Sequence, residues 1–312
     1  MSQQVKLQTN NTEYASQEDE IDLRELWFLL WKSKWVILII TLCFTSASLF
    51  YSLSLPNEYK STAILLPASA SGTSSLSKLA GQFGGLATLA GVNLGAAESG
   101  DKTAVAMELI KTWGFLEDFI IDNNLELEVF AVKGWDKANN KVLIDASIYN
   151  EEESIWVKSK PTSWKLFSEI KGRISVGQNA KTGLVSLTVE HYSPYVAKRW
   201  VDLLVVAINN HIQMRDKAEA LSSIKYLKQQ IRKTNITEMR TIFYQLIEEQ
   251  TKTLMLAEIS SEYVFKTLSS AKVAEQKSKP KRSIIVVVGM LLGGGISVLF
   301  ILFCAFIRKL KD

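Results

Sequence analysis

The chain has little from which to build a reaction centre. Of its 312 residues, two are cysteine and two are histidine. Cys43 and Cys304 both fall inside apolar runs, so the long middle of the chain has no thiol for a disulfide or a thiolate metal site. His191 and His211 stand at a separation that matches no zinc-binding spacing and read as polar or packing residues. No GxSxG, HExxH or Walker sequence occurs, and no GxGxxG sits between a strand and a helix. Adjacent Glu151, Glu152 and Glu153 read as a solvated turn rather than an acid/base pair. A net charge of +4, spread without a concentrated patch, gives no argument for nucleic acid as a partner. No cofactor, metal or catalytic residue is expected.

Two stretches lack charge altogether. Ser283–Ile307 contains no Asp, Glu, Lys or Arg. About 20 apolar residues at 1.5 Å rise cross a hydrocarbon core of about 30 Å, so this run is long enough to span with some tilt. Lys279, Lys281 and Arg282 precede it, and Arg308, Lys309 and Lys311 follow within a short tail, 308–312. Gly289 and Gly293 form a GxxxG pair extended by Gly294 and Gly295. Absent side chains let two helices approach closely, which makes Gly289, Gly293 and Gly294 the candidate transmembrane packing residues. The second uncharged run, Trp35–Leu55, is too long and too far from the N-terminus for the apolar core of a cleaved signal peptide, and reads as an uncleaved anchor.

Residues 1–20 form a polar tail with the composition of a disordered segment. Across 21–34, Leu23, Leu26, Trp27, Leu30 and Trp31 recur at helical spacing, as in a helix lying in the membrane interface. Two spans put both termini on one side and residues 56–282 on the other. Lys32, Lys34, Arg308, Lys309 and Lys311 favour cytoplasmic termini, whereas Lys277, Lys279, Lys281 and Arg282 argue the reverse. Long loops translocate largely regardless of charge, so the termini decide.

Within 56–282, the run EYKSTAILLPA alternates like a strand. A Gly-rich stretch with Gly81, Gly84, Gly85, Gly91 and Gly95 follows and has no phosphate-binding pattern. Residues 102–124 carry an amphipathic helix, or two meeting near Gly114, with Val105, Leu109, Trp113, Leu116, Phe119 and Ile120 on one face. An irregular polar segment runs to about Ser163, and SWKLFSEI reads as a short helix. ISVGQNAKTGLVSLTVEH is a strand-loop-strand pattern, with Val185, Leu187 and Val189 on the buried face. Ser193-Pro194 signals a helix start, and a helical period continues to about Lys233. A second helix covers about 238–258, so the pair is either a hairpin or a long interrupted rod. Lys225, Lys228, Arg232 and Lys233, near the first helix's end, could meet an anionic saccharide or phosphate, though a solvated face is the commoner explanation.

The layout resembles the Wzz-like polysaccharide chain-length determinants of bacterial inner membranes, also called polysaccharide co-polymerases. The likeness is carried by IDLRELWFLLWKSKWVILI, EYKSTAILLPA, AMELIKTWGFLEDFIIDNNL, VSLTVEHYSPYVAKRWVDLLVVAIN and KPKRSIIVVVGMLLGGGISVLF, over roughly residues 20–310. The resemblance implies an α+β membrane protein, with two transmembrane helices (35–55 and 283–307) flanking a periplasmic α/β base from which long helices extend. It also implies a homo-oligomeric ring in the inner membrane, and no enzymatic activity. The partners would be membrane lipids, a lipid-linked glycan and a separate polymerase whose product length the ring sets. On this reading Ile208, Ile212, Ile224, Leu227 and Ile231 are the candidate subunit-contact residues. Some relatives append a cytoplasmic kinase after the second span, and the tail at 308–312 leaves no room for one. Control of lipopolysaccharide O-antigen length is the leading expectation. Length control or export of capsule, exopolysaccharide or common antigen stays open. A membrane sensor would need a cytoplasmic output module that residues 1–34 and 308–312 do not supply. A membrane glycosyltransferase would need more spans or a nucleotide-sugar site.

Overall fold

The computed structural model describes residues 30–68, 98–157 and 159–311. The tail 1–20, most of the segment 21–34 and the Gly-rich stretch 81–95 therefore lie outside the described residues. The chain divides into two units, one made of Met1–Leu55 with Lys281–Asp312 and the other of Pro56–Pro280.

The first unit is a pair of helices, α1 (Lys34–Ser54) and α8 (Arg282–Lys311; the intervening helices are introduced below). Both are long and apolar enough to cross a membrane. At 1.5 Å per residue, 21-residue α1 is about 31 Å long, close to one hydrocarbon thickness. Leu38, Leu42, Phe50, Leu291, Leu299 and Phe303 stand exposed on their outer faces, where water would make them costly and lipid would not. The helices are antiparallel: Ser48 faces Gly289, and Phe44, one turn earlier in α1, faces Gly293, one turn later in α8.

The second unit is built on a four-stranded antiparallel sheet of order β6-β7-β1-β8. Its strands are β1 (Tyr59–Pro67), β6 (Ile174–Gln178), β7 (Val185–His191) and β8 (Phe265–Ser269). Strand β1 pairs with β7 from Tyr59↔His191 to Leu65↔Val185, and with β8 from Ile64↔Ser269 to Pro67↔Phe265. It therefore ties the first residues of the unit to segments far along the chain. Glu58 N–H donates to the Lys279 carbonyl (3.0 Å) and Ser278 N–H to the Glu58 carbonyl (2.8 Å), so the unit's two chain ends lie side by side.

One face of the sheet is the core face. Ala63 and Leu65 of β1 and Val185, Leu187 and Val189 of β7 are buried there with Trp200, Leu204 and Ile208 of α6 (Pro194–Lys233). Helix α6 starts as Ser193-Pro194 indicates: the Val196 N–H donates to the Ser193 hydroxyl (3.5 Å), and Pro194 occupies the first turn. Its 40 residues make a rod about 60 Å long. Thr234–Ile236 interrupt it, and α7 (Thr237–Ile259) returns alongside. Gln213 Nε2 donates to the carbonyls of Ala257 (2.6 Å) and Ser260 (2.9 Å), so the end of α7 meets the middle of α6. Of the two arrangements open from sequence, the chain adopts the hairpin.

Around this frame lie α2 (Glu98–Leu109), α3 (Trp113–Asp122), α4 (Glu126–Phe130) and α5 (Ser163–Arg173). The break between α2 and α3 falls at 110–112, before Gly114, where the Thr112 hydroxyl donates to the Leu109 carbonyl (2.7 Å). The segment expected to be irregular folds into two hairpins, β2–β3 (Val132–Asp136, Lys141–Ile144) and β4–β5 (Tyr149–Asn150, Ile155–Trp156). The β2–β3 turn is held by Asp136, whose carboxylate accepts from Ala138 N–H (2.9 Å) and the Asn139 amide (2.7 Å), with Asn140 at φ 49°. Strand β8 also departs from expectation, since Phe265–Ser269 reads in sequence as a connector.

A buried side chain fastens α6 to β8. Asn209 Nδ2 donates to the Val205 and Phe265 carbonyls, both at 3.0 Å, and its Oδ1 accepts from Val264 N–H (2.8 Å) and Phe265 N–H (2.9 Å). Every donor and acceptor of the amide is used. Asn209→Leu keeps the volume and orphans two buried N–H groups, each costing about 1–3 kcal/mol. Its melting temperature is expected to fall by several degrees in thermal denaturation, whereas Asn210→Leu, on the exposed side of the same turn, leaves it within a degree or so.

Candidate functional site

Among the described residues no group of three His, Cys, Asp or Glu side chains is placed to hold a metal ion. The features with functional shape are a helix–helix contact, a polar knot and the faces of the long hairpin.

In the helix pair, a Cβ added to Gly289 would stand 1.9 Å from Ser48 Oγ and 2.6 Å from Ser48 Cβ. One added to Gly293 would stand 2.7 Å from Phe44 Cβ and 3.2 Å from Thr41 Cα. The Ser48 hydroxyl reaches the Ile285 carbonyl at 3.5 Å. At Gly294 the nearest atom, Thr41 Oγ1, lies 4.0 Å away, and Gly295 faces open space. The structure thus brings Gly289 and Gly293 against α1 of the same chain, with Gly294 at its margin. Gly293→Leu, by forcing the helices apart, is expected to destabilise their pairing by about 1–3 kcal/mol. Gly295→Leu should have no comparable effect. Disulfide trapping of Cys pairs across α1 and α8 in detergent reads the difference: efficient in the parent and Gly295→Leu, and reduced in Gly293→Leu.

The polar knot joins α4, β7 and α6. Glu128 accepts from Trp200 Nε1 (2.9 Å) and pairs with Arg199, and its carbonyl lies 3.2 Å from His191 Nε2. His191 Nδ1 accepts from Ser193 N–H (3.0 Å), so Nε2 carries the proton and donates to Glu128. Burial pushes the His191 imidazole down to about 4, against the hydrogen bond to the Glu128 carbonyl, which raises it. The ring is neutral and structural. Because the folded value lies below the ordinary 6.5, its contribution to stability is complete above pH 6.5 and is lost as pH falls towards 4. That shift corresponds to about 3 kcal/mol. Denaturant titrations at pH 7 and pH 4.5 are expected to show a larger acid loss in the parent than in His191→Gln. Equal losses contradict this role for the ring.

The candidate subunit-contact residues turn out to face inward. Ile208 and Ile212 are fully buried in the protomer's core, Leu227 is buried, and Ile224 and Ile231 are half-buried on the hairpin. The strongest helical apolar period marks the face a chain buries first, its own core. Tyr226 stands exposed on one flank of α6, and Val206, Met214 and Leu221 stand exposed on the opposite side, with Met214 70% exposed. Beside it, an open groove of about 360 Å³ runs between α3 and α6 over Phe115, Phe119, Leu203, Val206 and Met214, with Asp118 and Asp122 on its rim. His211 lines the same groove, edge-on to Phe115 at 5.6 Å. Lys225, Lys228, Arg232 and Lys233 stand exposed on the last turns of α6, where cations suit the helix C-terminus.

Asp216 closes the hub missed in the sequence. It accepts from Lys102 Nζ and the Tyr263 hydroxyl, each at 3.0 Å, and from Arg215 at 3.1 Å. Its signal was a carboxylate on the helix face where Ile212 and Ala220 are buried one turn to either side.

Comparison with known proteins adds the remaining evidence of kinship. The sequence profile of the family described as "Wzz: Chain length determinant protein" matches residues 19–122. No curated protein sequence matches the chain. Among solved structures, a full-length bacterial polysaccharide co-polymerase aligns with 92% of this chain and 99% of its own, at 10% identity and a TM-score of 0.41. A fragment of WzzB, a polysaccharide co-polymerase from Salmonella Typhimurium, aligns with 72% of this chain and 100% of its own, at 12% identity and a TM-score of 0.31. Residues 19–122 are therefore similar to the chain length determinant family.

Proposed function

We propose that this chain is a non-enzymatic regulator of lipopolysaccharide O-antigen length, acting in the bacterial inner membrane on a separate polymerase. The observation that carries the reading is the conjunction of the chain length determinant profile at 19–122 with two membrane-length helices that bracket one large α/β unit. In this reading α1 and α8 cross the bilayer at about 35–55 and 283–307. Both termini are cytoplasmic, and residues 56–282 stand in the periplasm with the α6–α7 hairpin projecting from the base.

Identical subunits surround the growing lipid-linked glycan and hold the polymerase to a preferred product length. The side of α6 that carries Val206, Met214 and Leu221 supplies the contact between subunits in place of the buried Ile208 and Ile212. Burying their exposed apolar surface contributes about 25 cal/mol per Å² to association. The mechanism needs no catalytic group, only geometry that couples polymer length to polymerase engagement.

The test is the lipopolysaccharide banding pattern of the source strain with and without the gene. Loss of the gene is expected to turn a clustered long-chain band into an unregulated ladder while polymer is still made, and complementation restores the cluster. An unchanged ladder contradicts O-antigen control and moves the proposal to capsule, exopolysaccharide or common antigen. Complete loss of polymer points to synthesis or export instead.

A further inference from the structure

The β2–β3 hairpin carries an aromatic cluster that the folding core does not use. The Trp135 ring, next to the turn, stands edge-on to Tyr59 with centroids 5.3 Å apart and lies 6.2 Å from the ring of Tyr195. The three rings come from three elements: the hairpin, the first residue of β1 and the first turn of α6. Their outer edge opens at Tyr195, which is 50% exposed, while Tyr59 and Trp135 are half-buried. Trp135 Nε1 donates to Asn140 Oδ1 across the turn (3.1 Å). Rings that are apolar in body and polar at one edge favour a boundary between water and an apolar phase.

Position says which boundary. Tyr59 pairs with His191 at one end of the sheet and follows Glu58, the residue bonded to Ser278 and Lys279. Only Leu55–Glu58 separate Tyr59 from the last residue of α1, a reach of at most about 17 Å. Lys279 is likewise three residues from the first residue of α8, at most about 10 Å. The β6–β7 turn lies at the opposite end of β7, about 20 Å along the strand from His191. Charge does not choose the partner, because Lys133, Lys137 and Lys141 are offset by Asp136, Asp145 and Glu151.

We propose that Tyr59, Trp135 and Tyr195, with the tip of the β2–β3 hairpin, form a docking surface for the phospholipid headgroup layer of the bilayer that α1 and α8 cross. The cluster is an aromatic rest for headgroups. It works through ring insertion, so it does not depend on anionic lipid. This inference rests on the reading of α1 and α8 as membrane spans.

The test uses the full chain in liposomes, with nitroxide labels at single cysteines and collision rates for oxygen and for a water-soluble nickel chelate. With Cys43 and Cys304 replaced by serine, Ala138→Cys reports on the hairpin tip and Ala180→Cys on the far β6–β7 turn, both exposed positions. Native Cys43, with only Cys304 replaced, reports on the span. The expected result is a several-fold higher oxygen-to-nickel ratio at 138 than at 180, unchanged when phosphatidylglycerol replaces part of the phosphatidylcholine. Trp135→Phe with Tyr195→Ala is expected to lower the ratio at 138 towards that at 180. If 138 is as open to nickel as 180 while Cys43 is shielded, the docking surface is overturned and the membrane reading stands. If Cys43 is itself open to nickel, the span reading falls, and this inference falls with it.

Discussion

The pairing of β1 on both of its edges is the constraint on which the Pro56–Pro280 unit depends. A strand of nine residues near the start of the unit joins β7, more than a hundred residues later, and β8, about two hundred residues later. Strand β7 pairs with it from Tyr59 to Leu65 and β8 from Ile64 to Pro67, so the two ladders overlap at Ile64 and Leu65. Closing loops of such length costs conformational entropy that grows only slowly with loop size and is offset by a ladder of hydrogen bonds and a buried face. That face, with Ala63, Leu65, Val185 and Leu187, is what the first turns of α6 cover. Without β1 in place, α6 would lose the surface that fixes its direction, and the hairpin it forms with α7 would lose its footing. Asn209 then locks the other edge by taking the two N–H groups that open β8.

A consequence of the same pairing is that the unit starts and finishes at one place. Glu58 holds both Ser278 and Lys279 through backbone bonds, and the Lys279 side chain reaches Glu190 on β7. The unit's two chain ends are thereby held together by bonds within the unit itself. The features with functional shape are surfaces: the Met214 side of α6, the α3–α6 groove and the aromatic edge at Trp135. Where charged and polar side chains are buried, as with Asp216 and His191, they bond to other side chains and to backbone in ways that hold elements in register.

Much of this was legible from residues alone, for reasons that are local. Two uncharged runs can hardly be anything but apolar helices of membrane length, and Ser193-Pro194 marks a helix start through its own capping chemistry. The alternation of Val185, Leu187 and Val189 appears because β7 is buried on one face only. Strand β8 was not legible because its partner is about two hundred residues away and only Phe265 of its five side chains is buried. The two small hairpins were hidden by polar sequence, and their strands are too short to show a period. Ile208 and Ile212 are buried in the protomer's own core: helical periodicity reports the stripe buried in the fold and is silent about which other stripe meets a partner. Gly289 and Gly293 were singled out by spacing, but spacing cannot say whether the second helix is α1 of the same chain or belongs to another copy.

Hydrogen exchange of the β1 amides tests the closure most directly. The account predicts that Ser61–Leu66 are among the slowest-exchanging amides of the Pro56–Pro280 unit, opening together with β7 and the first turns of α6 in a single cooperative step. Exchange of β1 well ahead of α6, with the helix still protected, would contradict it and place the organising core in the helices alone.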